Sequence, residues 1–301
     1  MERIAIIGAG LMGHGLALVF ARAGHRVSVT DPVAQSRESL KDRVAATLRS
    51  LGSDAAAEEL VEVASTLAQA ANDADVVIEA APERLALKQE IFAELEAAAP
   101  ADSILASNTS VIPIGQIAAR VKSRHRVLGT HWWNPPYLVP LVEVIETEGT
   151  AAQTVTAMMA LLGRLGKTPV HVKKDVPGFV GNRLQHALWR EAISLVENGV
   201  CDAETVDLVV KNSFGRRLAV LGPLENADLV GTDLTLDIHE NVLPHIDHTP
   251  GPSPYLRALV DGGKLGFKSN TGFRTWTEEE KAAVRARVAE HLKTMSQLLG
   301  S

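Results

Sequence analysis

Hydrophobic and polar positions follow two different rhythms along this chain, and the change falls near residue 180. Arg3–Ile7 is a short apolar run ending in glycine, which predicts a buried strand. Leu11–Gly24 carries helical spacing and stops at Gly24, and the valine-rich Arg26–Thr30 predicts a second strand. From Pro32 to Leu51 the charged residues fall on one face and Leu40, Val44 and Leu51 on the other, so a helix is predicted. Further strands are predicted at Asp75–Glu79, Ser103–Ala106, Val127–Thr130, Val139–Ile145 and Thr168–Val172, with helical stretches between several of them. Strand–helix alternation of this kind means a mostly parallel sheet covered on both faces.

Beyond Pro177 the strand signals cease. Gly178–Asn198, Ala203–Phe214, Glu225–Glu240 and Glu278–Leu299 all read as helix, with a Pro- and His-containing loop between Pro244 and Pro254. The predicted fold class is α/β: a Rossmann-type doubly wound sheet over residues 1–180, then an all-helical domain over 181–301.

Composition narrows the field. Apolar residues are 46% and charged residues 22%, ordinary for a globular protein, and 301 residues can bury a sizeable core. The net charge of −6 argues against general affinity for nucleic acid or anionic membrane. A single cysteine, Cys201, excludes an internal disulfide and fits a reducing cytoplasm. The apolar run Ile4–Phe20 is interrupted by glycines and lacks a basic leader, so it does not read as a signal sequence. A cytoplasmic, soluble protein is expected.

Gly8-Ala9-Gly10-Leu11-Met12-Gly13 follows a predicted strand directly and opens a predicted helix. Gly8 permits the tight turn, Gly10 lets the backbone approach a pyrophosphate, and Gly13 lets helix and strand pack closely. The N–H groups at Leu11 and Met12 then face the phosphates with the helix dipole behind them. Asp31, ending the second strand, can accept hydrogen bonds from a ribose and would repel a 2′-phosphate, which selects NAD over NADP. The plainer role for Asp31 is to cap the segment starting at Pro32, and the two are compatible.

Sites in doubly wound sheets form at the carboxyl ends of the strands. Glu83 and Lys88 follow one such end, Ser107-Asn108-Thr109-Ser110 a second, and His131-Trp132-Trp133-Asn134 a third. Oxidising an alcohol needs a base for the hydroxyl proton, and histidine titrates near working pH. Glu143 lies beyond Asn134-Pro135-Pro136, and a tight reversal there would return it beside His131 to orient the imidazole. Ser110 and Asn134 could bond the substrate oxygen or the nicotinamide carboxamide. By position alone His131 could equally be a packed histidine and Glu143 an edge-strand charge.

Taken together, these residues resemble the 3-hydroxyacyl-CoA dehydrogenase superfamily over nearly the whole chain. The resemblance implies NAD contacts at Gly8, Gly10, Gly13, Asp31, Glu83 and Lys88, with polar site residues at Ser110 and Asn134. It also implies a His131–Glu143 catalytic pair, a substrate-side asparagine at Asn182, a lysine reaching the cofactor at Lys268, and a homodimer. Two features depart from the acyl-CoA pattern. Asp54 stands where acyl-CoA members carry phosphate-binding lysines, and Trp132-Trp133 replaces a pair containing phenylalanine, which should narrow the pocket.

Asn134-Pro135-Pro136-Tyr137, Leu141-Val142-Glu143 and Gly222-Pro223-Leu224-Glu225 look more like the branch with L-gulonate 3-dehydrogenase and lambda-crystallin, whose relatives act on free hydroxy acids or pyridine aldehydes. The expected substrate is therefore a free 3-hydroxy acid, with an acyl-CoA or a pyridine aldehyde as alternatives. Arg216 and Arg217 are the expected carboxylate partners, facing the cleft if the packing is family-like. An NAD-binding sensor without chemistry would need only the glycine loop and Asp31, not the polar set at the other strand ends. No metal is expected: His239, His245 and His248 have no cysteine beside them, and hydride transfer requires none.

Overall fold

Alternate residues of the first strand enter two different cores: Ile4 and Ile6 pack into one cluster and Ala5 and Ile7 into the other. A strand buried on both faces in this way belongs to the middle of a covered sheet. The computed structural model describes residues 1–53 and 55–299. Its eight strands are β1 (Arg3–Ile7), β2 (Arg26–Thr30), β3 (Val61–Val63), β4 (Val76–Glu79), β5 (Ile104–Ser107), β6 (Val127–Trp132), β7 (Leu141–Ile145) and β8 (Thr168–Val172). They form one sheet in the order β3-β2-β1-β4-β5-β6-β7-β8. All neighbours are parallel except β6 and β7, which are antiparallel. The order reverses between β1 and β4, the point where such sheets bind ligands.

Helices of this part are α1 (Leu11–Arg22), α2 (Ala34–Glu38), α3 (Leu40–Ser50), α4 (Leu67–Ala71), α5 (Leu85–Ala98), α6 (Ile114–Ile117) and α7 (Ala152–Arg164). The core on the face of Ile4 and Ile6 draws on α1, α3 and α7, and the opposite core on α4, α5 and α6. Phe20 and Leu16 of α1 and Phe92 of α5 are wholly buried. Each contributes about 1.5–3 kcal/mol relative to exposure.

The later helices are α8 (Gly181–Glu197), α9 (Ala203–Asn212), α10 (Pro223–Val230), α11 (Thr232–Val242), α12 (Pro254–Asp261) and α13 (Glu278–Leu299). Two compact units result. One is Met1–Asn182 together with the chain from Glu290 onward, and the other is Arg183–Ala289. The end of α13 thus packs with the first unit, whereas the whole of 181–301 was expected to form the second. Within the described part of the second unit the only buried hydrophobic residue is Leu259, while Leu224 and Leu229 are 80% and 72% exposed.

Three elements differ from expectation for local reasons. The helix expected over Pro32–Leu51 is two, because the Ser39 hydroxyl bonds back to the Gln35 carbonyl (2.7 Å) at the break. The helix expected over Glu225–Glu240 is also two, divided at Gly231, whose φ of 101° no ordinary residue adopts easily. β3 has a single buried position, too short a stretch to display a strand period.

Candidate active site

The glycine turn after β1 fits a dinucleotide on structural grounds. Gly8 has φ 115°, and a Cβ there would lie 2.7 Å from the Ala80 carbonyl oxygen. A Cβ on Gly13 would lie 1.8 Å from the Gly8 oxygen, so helix and turn could not close with any other residue. A Cβ on Gly10 meets nothing within 4 Å, which leaves its backbone open to an approaching group. The α1 terminus has no side-chain cap and no acid in its first turn, so its free N–H groups and dipole remain available to a pyrophosphate.

Asp31 ties this cradle together. Its Oδ2 accepts from the Ala9 N–H (2.7 Å) and its Oδ1 from the Val33 N–H (2.8 Å). The helix that follows starts at Ala34, with Val33 at its N-cap and no side-chain cap, so Asp31 closes the turn before the helix rather than capping it. Each carboxylate oxygen keeps a lone pair for a ribose hydroxyl. Arg37 bonds the Asp31 carbonyl, and Arg43 bonds the Ala9 and Ser36 carbonyls beside it. Replacing Asp31 with Ala is expected to narrow the preference for NAD over NADP, because the repelling carboxylate goes while both arginines stay. Steady-state kcat/KM with each cofactor measures this, and an unchanged ratio would remove Asp31 from the role.

Past β4, the acid that matters most structurally is one the sequence reading passed over. Glu79 is fully buried and accepts from Lys88 Nζ (2.7 Å), the Ala81 N–H (2.6 Å) and the Ser107 hydroxyl (2.6 Å). Lys88 also donates to the Ala81 carbonyl (3.1 Å) and lies 3.7 Å from Glu83. Glu83 in turn accepts from the Thr109 hydroxyl. Lys88 therefore sits 1% exposed beneath the turn, its donors directed at the turn itself, while Glu83 is partly exposed above it.

The β6–β7 hairpin brings the two distant candidates together. His131 and Glu143 are directly paired across the antiparallel strands, so their side chains share a face. His131 Nδ1 and Glu143 Oε2 are 2.6 Å apart. Glu143 Oε1 accepts the N–H groups of Val180 (2.9 Å) and Gly181 (3.0 Å), at the start of α8. Phe179 just before them has φ 50°, a left-handed conformation costing about 1–3 kcal/mol that aims those N–H groups at the carboxylate. Burial pushes the Glu143 pKa up, but the hydrogen bonds from His131, Gly181 and Val180 and the attraction of the imidazole outweigh it. The carboxyl is held below its ordinary range.

That shift fixes a pH dependence. A depressed carboxyl contributes its full stabilisation above its unfolded pKa and loses it as pH falls through the folded value. Folding stability of the wild type should thus decline through the acid range more steeply than that of Glu143→Gln. Urea melts at a series of pH values measure the two slopes, and equal slopes would deny the shift.

With Nδ1 committed to Glu143, Nε2 is the ring nitrogen left for other chemistry. The imidazole is flanked by the rings of Trp133 (5.2 Å) and Phe179 (5.6 Å), its Nδ1–H fixed by the carboxylate. Trp132 points the other way, as strand alternation requires, into the core beside Phe20 (6.0 Å), and is 2% exposed. Of the two tryptophans expected to narrow a pocket, only Trp133 lies on the histidine's face.

Ser110 follows β5, and its carbonyl accepts from Asn182 Nδ2 (2.8 Å), so Asn182 supports the Ser110 turn. Asn134 is exposed on the turn after β6. Asn108, also passed over, holds β6 through its Oδ1 and the Trp132 N–H (3.1 Å). Lys268, Arg216 and Arg217 belong to the second unit, where both arginines are exposed beside the short turn Phe214–Arg216. Asp54 lies outside the described residues.

Comparison with known proteins places this arrangement. Residues 3–176 match the 3-hydroxyacyl-CoA dehydrogenase NAD binding domain, and residues 178–276 match the 3-hydroxyacyl-CoA dehydrogenase C-terminal domain. The chain belongs to the 3-hydroxyacyl-CoA dehydrogenase family. It is 37% identical to 5-formyl-3-hydroxy-2-methylpyridine 4-carboxylate 5-dehydrogenase of Mesorhizobium japonicum, over 99% of this chain and 98% of that protein. It is 38% identical to a probable 3-hydroxybutyryl-CoA dehydrogenase of Bacillus subtilis, over 93% and 99%. It is 37% identical to L-carnitine dehydrogenase of Pseudomonas aeruginosa, over 93% and 90%.

Among solved structures, a 5-formyl-3-hydroxy-2-methylpyridine 4-carboxylic acid 5-dehydrogenase described as an NAD+ dependent dismutase superposes with a TM-score of 0.92 at 34% identity. That match covers 100% of this chain and 99% of the other. As a member of the 3-hydroxyacyl-CoA dehydrogenase family, the protein is an NAD-dependent oxidoreductase acting on CH–OH groups.

Proposed function

We propose that the protein oxidises the secondary alcohol of a free 3-hydroxy acid, with His131 as the base and Glu143 as its orienting partner. The observation that carries this reading is the 2.6 Å contact between His131 Nδ1 and a Glu143 whose other oxygen is fully engaged by backbone. Glu143 keeps the proton on Nδ1, so that Nε2 accepts the hydroxyl proton, and its charge stabilises the imidazolium that forms. NAD, when bound, accepts the hydride from the carbinol carbon. Gly8, Gly10, Gly13, the Leu11 and Met12 N–H groups and Asp31 would hold it, with Glu83 at the nicotinamide end above the Lys88 anchor. Ser110 and Asn134 bind the reacting oxygen, and Asn182 keeps Ser110 in place.

A free acid is favoured over a CoA thioester because two of the relatives above carry names without CoA. The TM-score of 0.92 to the pyridine carboxylate enzyme supports a second reading, in which the alcohol oxidised is the hydrate of an aromatic aldehyde bearing a carboxylate. Both readings require a cation for the carboxylate, and the residues the sequence offers for it are Arg216 and Arg217, whose planar fork suits such a group. The test compares kcat/KM for free 3-hydroxy acids, a pyridine aldehyde carboxylate and the corresponding CoA thioesters, in the wild type and in Arg216→Met and Arg217→Met. Free acids should be preferred and should lose rate in at least one variant. Preference for the thioester with no arginine effect would return the protein to acyl-CoA substrates.

The protein acts as a homodimer in this reading. The second unit exposes Leu184, Leu188, Leu208, Leu224, Leu229 and Leu236, while among its described residues only one hydrophobic side chain, Leu259, is buried, and covering such apolar residues favours self-association. Sedimentation equilibrium should give twice the chain mass of 32.2 kDa, and a monomer at micromolar concentration would oppose it. A cytoplasmic setting is part of this reading and rests on the single cysteine, Cys201; among the described residues no helix is long and apolar enough to cross a membrane.

A further inference from the structure

Four cationic side chains line one cavity of the first unit that shares no lining residue with the dyad or the glycine turn. Arg22 ends α1, Arg164 ends α7, Lys167 stands just before β8, and Lys293 lies on α13. The cavity holds about 630 Å³, and among the described residues no Asp or Glu lines it. The whole chain carries 36 acids against 30 bases, so this wall runs against its average.

Lys167 is fixed in place, and among the described residues the positive charge is poorly neutralised. Lys167 Nζ donates to the carbonyls of Pro136 (2.5 Å) and Val139 (3.1 Å) and lies 5.8 Å from the centre of the Trp132 ring. Two of its three donors are therefore held by neutral acceptors, and the third remains for a ligand. Among the described residues Lys293 bonds only the Ser50 carbonyl (3.3 Å). Of the four, Arg164 alone has a carboxylate partner among the described residues, Glu2. Burial, and then the charge of Arg22, lower the Lys167 pKa to about 8, the direction an unbalanced positive site produces.

We propose that this cavity is a second anion site, in which Lys167 and Arg22 bind a phosphate dianion with Arg164 and Lys293 flanking it. Its volume lies within the roughly 300–1,000 Å³ of pockets that hold small organic ligands, so a phosphate monoester fits as well as the free ion. Because Lys167 also anchors the turn between Asn134 and β7, the site adjoins the chain segment that carries the dyad's hairpin.

The test is titration calorimetry on the whole protein at constant ionic strength, with sulfate, inorganic phosphate and glycerol phosphate as probes. Saturable binding is expected for all three, undiminished by NADH, and weakened at least about tenfold in Arg22→Met and in Lys167→Met. Sulfate does not itself titrate near pH 8, so its binding should draw a proton onto Lys167, visible as heat that depends on the buffer. Tighter binding of inorganic phosphate assigns the site to the free ion, and tighter binding of glycerol phosphate to a monoester.

Heats no larger than those of chloride, displacement by NADH, or unchanged affinity in the variants would overturn the proposal. Lys167→Met removes the donor from two carbonyls, and if it fails to fold, the exposed Arg22→Met decides alone.

Discussion

His131→Ala is expected to leave NADH binding nearly intact while kcat falls by roughly 10²–10⁴, the range for loss of a positioned general base. The separation follows from placement. The dinucleotide cradle is built from the β1 turn, the start of α1 and Asp31, none of which touches the imidazole, whereas His131 is held across the β6–β7 hairpin by Glu143. Glu143→Gln keeps the shape but loses the charge that stabilises an imidazolium, so kcat should fall there too, with KM little changed. Fluorescence titration with NADH and steady-state kinetics on the same preparations give both numbers. A His131→Ala protein that turned over at close to the wild-type rate would end the assignment.

Glu79→Ala should be the most destabilising single change at the site. Glu79 is the close carboxylate partner of a lysine that is 1% exposed, and its removal leaves that buried ammonium only the Ala81 carbonyl and the more distant, partly exposed Glu83. Breaking a buried pair from one side costs about 3–5 kcal/mol, even though the intact pair is a poor source of net stability. The Ala81 N–H and the Ser107 hydroxyl lose their acceptor at the same time. Urea denaturation measures the loss. The double variant Glu79→Leu/Lys88→Met, which removes both charges, should recover much of it. A Glu79→Ala protein within about 1 kcal/mol of wild type would show that the pair is not closed in solution, since a loss that small is ordinary for any substitution.

Much of this arrangement could be read from residue order because it depends on local signals. Seven of the eight strands and the glycine turn display their chemistry in runs of a few residues. The turn at Asn134-Pro135-Pro136 allowed Glu143 to return beside His131, as the strands do pair, while the reading of the two as a dyad rested on the family resemblance. What was missed depends on contacts between distant segments. Glu79 read as the last residue of a strand, and only the return of Lys88 from α5 and Ser107 from β5 makes it a buried hub. The N–H pair of Val180 and Gly181 that holds Glu143 carries no side-chain signature at all. Helix α12 is a different case. Ser253 capping the Leu256 N–H and Pro254 in the first turn are ordinary start signals, yet they fell at the edge of a stretch read as loop.

Deuterium transfer tests the chemistry most directly. The protein is given NAD and a free 3-hydroxy acid deuterated at the carbinol carbon, and the reduced cofactor is examined by mass spectrometry. NADH carrying the deuterium is expected, formed at a rate that collapses in His131→Ala. NADH formed only from the CoA thioester, or deuterium transfer undiminished without His131, would contradict the assignment of a free hydroxy acid oxidised by the His131–Glu143 pair.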